Sequence, residues 1–114
     1  MIKKPNILII CTRNKKRSRT AEYIFKNDSR FNIRSAGLSP KSERKITEKD
    51  VNWSDFIFVM ESKHKSRILE EFKNLTIPKM EILNIPDDYE YLDDDLIELL
   101  KDKINSTLEI EYNI

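Results

Sequence analysis

The sequence is poor in several residue types that usually carry chemistry. One cysteine in 114 residues cannot form an internal disulfide. It fits a reducing cytoplasm and leaves a single thiol free to react. One histidine, His64, stands among Lys63, Lys65 and Arg67, where a solvated helix residue is expected; one imidazole without neighbouring ligands makes no metal site. The one glycine, Gly37, is expected where the backbone adopts a conformation that other residues resist. No apolar run approaches the roughly 20 residues that span a bilayer. The start, Met1–Pro5, is basic, but the short apolar stretch after it has no small-residue cleavage site, so no signal peptide is expected. There is no internal repeat, low-complexity tract or linker.

Charge is plentiful. Charged residues make up 36% of the chain and hydrophobic ones 39%, which implies a soluble globular chain and, at this length, one domain over residues 1–114. The net charge of +1 hides an asymmetry: residues 1–45 hold 13 Lys+Arg and 3 Asp+Glu, and the remainder holds 8 and 17. Such halves attract one another within one fold, and the basic one can steer an anionic partner.

The only cysteine opens the most informative stretch, Cys11-Thr12-Arg13-Asn14-Lys15-Lys16-Arg17-Ser18. The apolar run Asn6–Ile10 leads in as a buried strand, and residues 19–27 lead away as a helix with Ala21, Ile24 and Phe25 on one face. The loop therefore ends at a helix N-terminus, where free N–H groups and the positive dipole end suit an oxyanion. The same field favours thiolate, the nucleophilic form of cysteine. Arg17 can fork onto phosphate, and the Ser18 hydroxyl can donate to a thiolate. Nucleophile, cradle and cation together read as phosphoryl transfer through a phosphocysteine.

Further along, residues 31–34 alternate as a less buried strand, and 38–44 form a loop. Thr47 caps a short helix, with Trp53 as a packing anchor. Residues 56–60 form another buried strand. Ser62 caps a helix to about Phe72, with Ile68, Leu69 and Phe72 on one face. Residues 81–85 make a short strand, Pro86-Asp87-Asp88 a turn, and Asp93-Asp94-Asp95 opens a last helix. Alternating strands and helices argue an α/β fold: a small four-stranded parallel sheet with helices on both faces, and ligands beyond the carboxyl ends of the strands.

Cys-x5-Arg-Ser after a strand resembles the phosphate-binding loop of the low-molecular-weight protein tyrosine phosphatases. Ala21-Glu22, Ser35-Ala36-Gly37, Asp55–Glu61 and Ile85-Pro86-Asp87-Asp88-Tyr89 resemble later family segments in the right order. The chain looks most like a shorter bacterial group of predicted tyrosine phosphatases. The resemblance implies the family's fold and sheet order, with Cys11 as nucleophile, Arg17 as phosphate clamp and Asp87 as general acid. Thr12, Arg13, Asn14, Lys15, Lys16 and Ser18 would complete the phosphate site, with Asn14 holding the loop's shape. Asp88 stands where the family has proline and is the alternative acid. Tyr89 and Tyr91 would wall the pocket or simply pack. Arg13 replaces a common glycine, Lys16 the second cysteine of eukaryotic members, and Arg19 the usual proline.

The implied substrate is a phosphorylated protein, phosphotyrosine first, or a small phosphomonoester. No metal, organic cofactor, membrane or nucleic acid is implied, and a monomer is expected. A non-catalytic phosphate- or anion-binding module and a cysteine phosphocarrier remain as alternatives. A thiol-dependent arsenate reductase would need further cysteines.

Overall fold

A computed structural model describes residues 4–114; the first three residues of the basic start lie outside the described residues. The elements in order are β1 (Asn6–Cys11), α1 (Arg17–Phe25), β2 (Asn32–Gly37), α2 (Glu48–Trp53), β3 (Phe56–Val59), α3 (Ser62–Glu71), β4 (Lys79–Ile82) and α4 (Asp94–Tyr112). The four strands form one parallel sheet in the order β2-β1-β3-β4, the expected α/β architecture. No described helix is long and apolar enough to cross a membrane.

The period-two alternation of a strand divides the core into two layers. Ile7, Ile9 and Cys11 of β1, with Phe56 and Phe58 of β3, pack against Ala21 and Phe25 of α1 and Leu96, Leu100, Ile104 and Leu108 of α4. Leu8, Ile10, Ile57 and Val59 face the other way, onto Val51 of α2 and Ile68 of α3. Each fully buried aliphatic or aromatic side chain contributes about 1.5–3 kcal/mol, so β1 and β3 hold the sheet together. The chain reverses direction across the sheet between β1 and β3. A crevice beyond the strand ends forms at such a switch point.

Several boundaries differ from the sequence expectation. β2 continues to Gly37, because Ser35, Ala36 and Gly37 pair with Ile9, Ile10 and Cys11. α1 begins two residues earlier than expected, at Arg17. β4 covers Lys79–Ile82 rather than 81–85; Asn84 takes φ 57°, which extended pairing does not tolerate. The cap of α3 is Glu61, not Ser62, and Leu69 is exposed. Thr47 does cap α2, accepting the Asp50 N–H, and Asp93 caps α4.

Gly37 corrects the conformational expectation. Its φ lies outside the left-handed region; what the position demands is space. A Cβ there would lie 2.7 Å from the Asn14 nitrogen and 2.8 Å from the Arg13 carbonyl carbon. The loop after β1 rests directly on the end of β2.

Candidate active site

β1 delivers Cys11, 3% exposed, to the switch-point crevice. The following loop is held from outside by residues 38–43. Leu38 and Ser39 N–H groups donate to the Cys11 and Thr12 carbonyls at 3.2 and 2.8 Å, and the Glu43 N–H to that of Arg13 at 3.3 Å. The Ser42 hydroxyl also donates to the Thr12 carbonyl. With its carbonyls occupied on that side, and Asn14 at φ 51°, the loop turns tightly into α1. Among the described residues, no protein acceptor takes the backbone N–H groups of residues 13–17. Free donors at a helix start make a ready oxyanion cradle.

A buried chain of hydrogen bonds fixes the thiol. The Asn14 side-chain amide donates to Ser18 Oγ and to Ser35 Oγ, each at 2.9 Å. Ser35 donates in turn to Glu22 Oε1 at 2.7 Å. Ser18 Oγ, already accepting from Asn14, has its own proton for Cys11 Sγ at 3.0 Å. Ser18 thus bonds the thiol, and α1 has no side-chain cap. Ser35 and Glu22 belong to segments visible in the sequence, but nothing there marked them as supports of the thiol.

Arg17 lies beneath the loop with 2% of its side chain exposed. Its Nη1 donates to Glu61 Oε2 at 2.8 Å and to the Ile85 carbonyl at 2.7 Å. These two bonds use both Nη1 protons and leave the Nε/Nη2 edge, a fork matched to two phosphate oxygens. Arg17 is therefore oriented by Glu61, the cap of α3, and by Ile85 in the segment after β4, neither of which sequence spacing connects to it. The Arg17 hydrogen bond holds the Glu61 carboxyl below its usual range.

His64 is not the solvated residue expected from its basic neighbours: it is 2% exposed. The Glu61 N–H donates to Nδ1 at 3.1 Å, so Nε2 carries the ring proton and donates to Thr12 Oγ1 at 2.9 Å. Burial, reinforced by the Arg17 charge, pushes its pKa down to about 4. A neutral imidazole thus joins the loop after β1 to the segment that orients Arg17. The sequence signal that could have found it is position: it sits at N3 of α3, facing the sheet, while its charged neighbours face outward.

A cleft of about 180 Å3 is lined by Cys11, Thr12, Arg13, Lys15, Lys16, Arg17 and Asp87. Asp87 comes from the turn after β4; it is exposed, and its Oδ1 lies 3.7 Å from Arg17 Nε. Asp88 is exposed and does not line the cleft. Neither tyrosine lines it: Tyr89 packs against the core layer beneath α1 and α4, and Tyr91 lies in a neighbouring surface cleft with Arg19 and Tyr23. Among the described residues, no cluster of His, Cys, Asp or Glu could hold a metal ion.

No protein-family model matches the chain, and no curated protein matches it in sequence. Among solved structures it is similar to SP-PTP, a low molecular weight protein tyrosine phosphatase from Streptococcus pyogenes. They share 19% identity with TM-score 0.77 over 94% of this chain and 93% of the other. It is also similar to the YwlE arginine phosphatase from Geobacillus stearothermophilus, with 21% identity and TM-score 0.67 over 94% of each chain. A third likeness is the tyrosine phosphatase Wzb from Escherichia coli K30, solved with phosphate. Identity there is 23% and TM-score 0.70 over 96% of this chain and 99% of the other. The chain has the fold of the low-molecular-weight protein tyrosine phosphatases.

Proposed function

We propose that a chain with this phosphatase fold is itself a cysteine-dependent phosphatase that hydrolyses phosphomonoesters, with protein phosphotyrosine as the class the family resemblance implies. The observation that carries the reading is convergence. A thiol, a buried guanidinium and a carboxylate, supplied by the end of β1, the start of α1 and the turn after β4, line one small cleft. In the reaction, the Cys11 thiolate attacks phosphorus in line. The Sγ–P bond forms as the P–O bond to the leaving group breaks. The loop N–H groups and the Arg17 Nε/Nη2 edge hold the equatorial oxygens. The Asp87 carboxyl gives its proton to the leaving oxygen. Water then attacks the phosphocysteine, its proton passes to the Asp87 carboxylate, and Sγ departs as a thiolate that accepts the Ser18 hydroxyl proton in a hydrogen bond.

The test is hydrolysis of para-nitrophenyl phosphate under reducing conditions by wild type, Cys11→Ser, Asp87→Asn and Asp88→Asn. Loss of the nucleophile should lower kcat by at least about 10⁴-fold. Asp87→Asn should cost more than Asp88→Asn, with the difference clearest on phenyl phosphate, whose poorer leaving group needs the proton. A folded wild type that binds phosphate or vanadate without turnover would point to the anion-binding module instead.

A further inference from the structure

The rim of the cleft carries more positive charge than one phosphate uses. Its lining holds four cations, Arg13, Lys15, Lys16 and Arg17, against one carboxylate, Asp87. Arg17 is already balanced by Glu61 at 2.8 Å and by Asp87. Among the described residues Lys16 pairs only with Glu90, at 3.3 Å, and that carboxylate is 82% exposed. Such a pair is weak and readily exchanged for a better partner. Arg13 and Lys15 are exposed, and neither pairs with a carboxylate among the described residues. Lys15 and Lys16 also line the adjoining cleft, where Arg19 continues the basic surface toward Glu43 and Tyr91. No aromatic side chain lines the Cys11 cleft, so nothing on its wall favours a ring over another leaving group.

We propose that this cleft selects phosphomonoesters bearing a second anionic group beside the scissile phosphate, with Arg13, Lys15 and Lys16 binding that second group. The proposal rests on the phosphatase reading and narrows its substrate class. A transferred phosphoryl group engages the loop N–H groups and Arg17, leaving Arg13 and Lys15 uncompensated and Lys16 held only by the exposed Glu90. A neighbouring carboxylate or phosphate neutralises them, displacing Glu90 from Lys16. A leaving group that carries a guanidinium or ammonium meets the same cations and is repelled. The second anion can belong to a small molecule or to an acidic residue flanking a phosphorylated side chain, since both present the same chemistry to the rim.

The experiment compares kcat/KM within each protein sample, so that a variant's folded fraction cancels. One arm uses phenyl phosphate against phenyl phosphates carrying an added carboxylate or phosphate. The other uses phosphotyrosine peptides with acidic, neutral or basic flanks. Exposed charge contacts give about two- to five-fold for each cation engaged, so wild type should prefer the anionic substrate by roughly ten-fold at low salt. Molar salt should shrink the preference toward one, since screening then reaches to about 3 Å. Arg13→Glu and Lys15→Glu should each lower or reverse the ratio. A preference in only one arm supports the proposal and identifies the source of the second anion. Turnover of phenyl phosphate with equal kcat/KM across both arms overturns the selectivity and leaves the phosphatase reading standing. No turnover of any substrate overturns both.

Discussion

The loop after β1 and the turn after β4 meet at one cleft but are built in opposite ways. In the first, Cys11, Asn14, Arg17 and Ser18 are all at most 3% exposed, and every polar side chain among them is hydrogen-bonded. In the second, the Asp87 side chain is 64% exposed. Its segment is tied down by the packing of Tyr89, the Lys16–Glu90 pair and the bond from the Leu92 N–H to Thr20 Oγ1 at 3.0 Å. The difference follows from what each half does under the proposed reaction. Groups that hold a transition-state charge gain most from fixed, dry positions. An acid that exchanges protons with a leaving group and then with water needs solvent access.

Breaking the buried half should have the largest effect. Arg17→Lys keeps the charge but loses the fork and cannot reproduce both Nη1 bonds. About a 10²- to 10³-fold fall in kcat is expected, with about 1–3 kcal/mol of stability lost as Glu61 and the Ile85 carbonyl go unpaired. Steady-state kinetics with denaturant unfolding checks both; activity within a few-fold of wild type would contradict the assigned role of the fork. Asp87→Asn breaks the exposed half. Its cost should approach 10²-fold for an alkyl or unsubstituted phenyl leaving group and shrink for para-nitrophenolate, which leaves with little protonation. Its unfolding midpoint should barely move. A uniform cost across leaving groups would remove Asp87 from the acid's role.

His64 sharpens the comparison through pH. The folded protein holds this imidazole at about 4, whereas an unfolded histidine titrates near 6.5. Between those values the unfolded chain binds a proton that the folded chain does not, so stability falls as pH drops through that window and is fully present above it. The loss reaches up to about 3 kcal/mol near pH 4. Glu61, held below the usual carboxylate range, begins to add its own loss below about pH 4.5, at the acid end of that window. Urea unfolding from pH 7 to 5, above the carboxylate range, should show the slope in wild type and not in His64→Gln. Equal slopes would mean the imidazole is not buried neutral.

The same contrast explains what could be read from the sequence. Strand alternation and the β1–loop–α1 order are local patterns, so the α/β class and the place of the loop after β1 are legible, while the sheet order follows from the family resemblance. Glu61, His64, Ser35 and Glu22 act through contacts across 13 to 52 positions, which periodicity does not encode. His64 was misread because its neighbours in sequence are charged while its neighbours in space are Thr12 and the β3 end. A lone glycine in a sequence suggests backbone freedom, yet Gly37 is needed for space, because the loop after β1 packs on it. Asp87 and Asp88 are the same residue type; the family resemblance favours Asp87, and of the two only Asp87 lines the cleft.

The smallest effect tests whether the two halves compete for the same charge. Glu90→Gln removes one highly exposed carboxylate from the Asp87 segment and leaves Lys16, on the loop after β1, without its partner. As an exposed ion pair, it should cost at most about 1 kcal/mol of stability. If Lys16 is recruited by the substrate, Glu90 is a competitor, and removing it should raise kcat/KM about two-fold for a substrate with a second anionic group. For a singly phosphorylated neutral substrate the gain should be smaller. A fall for both substrates would make the pair a tether that positions the Asp87 segment, and the two halves would then be mechanically joined rather than in competition.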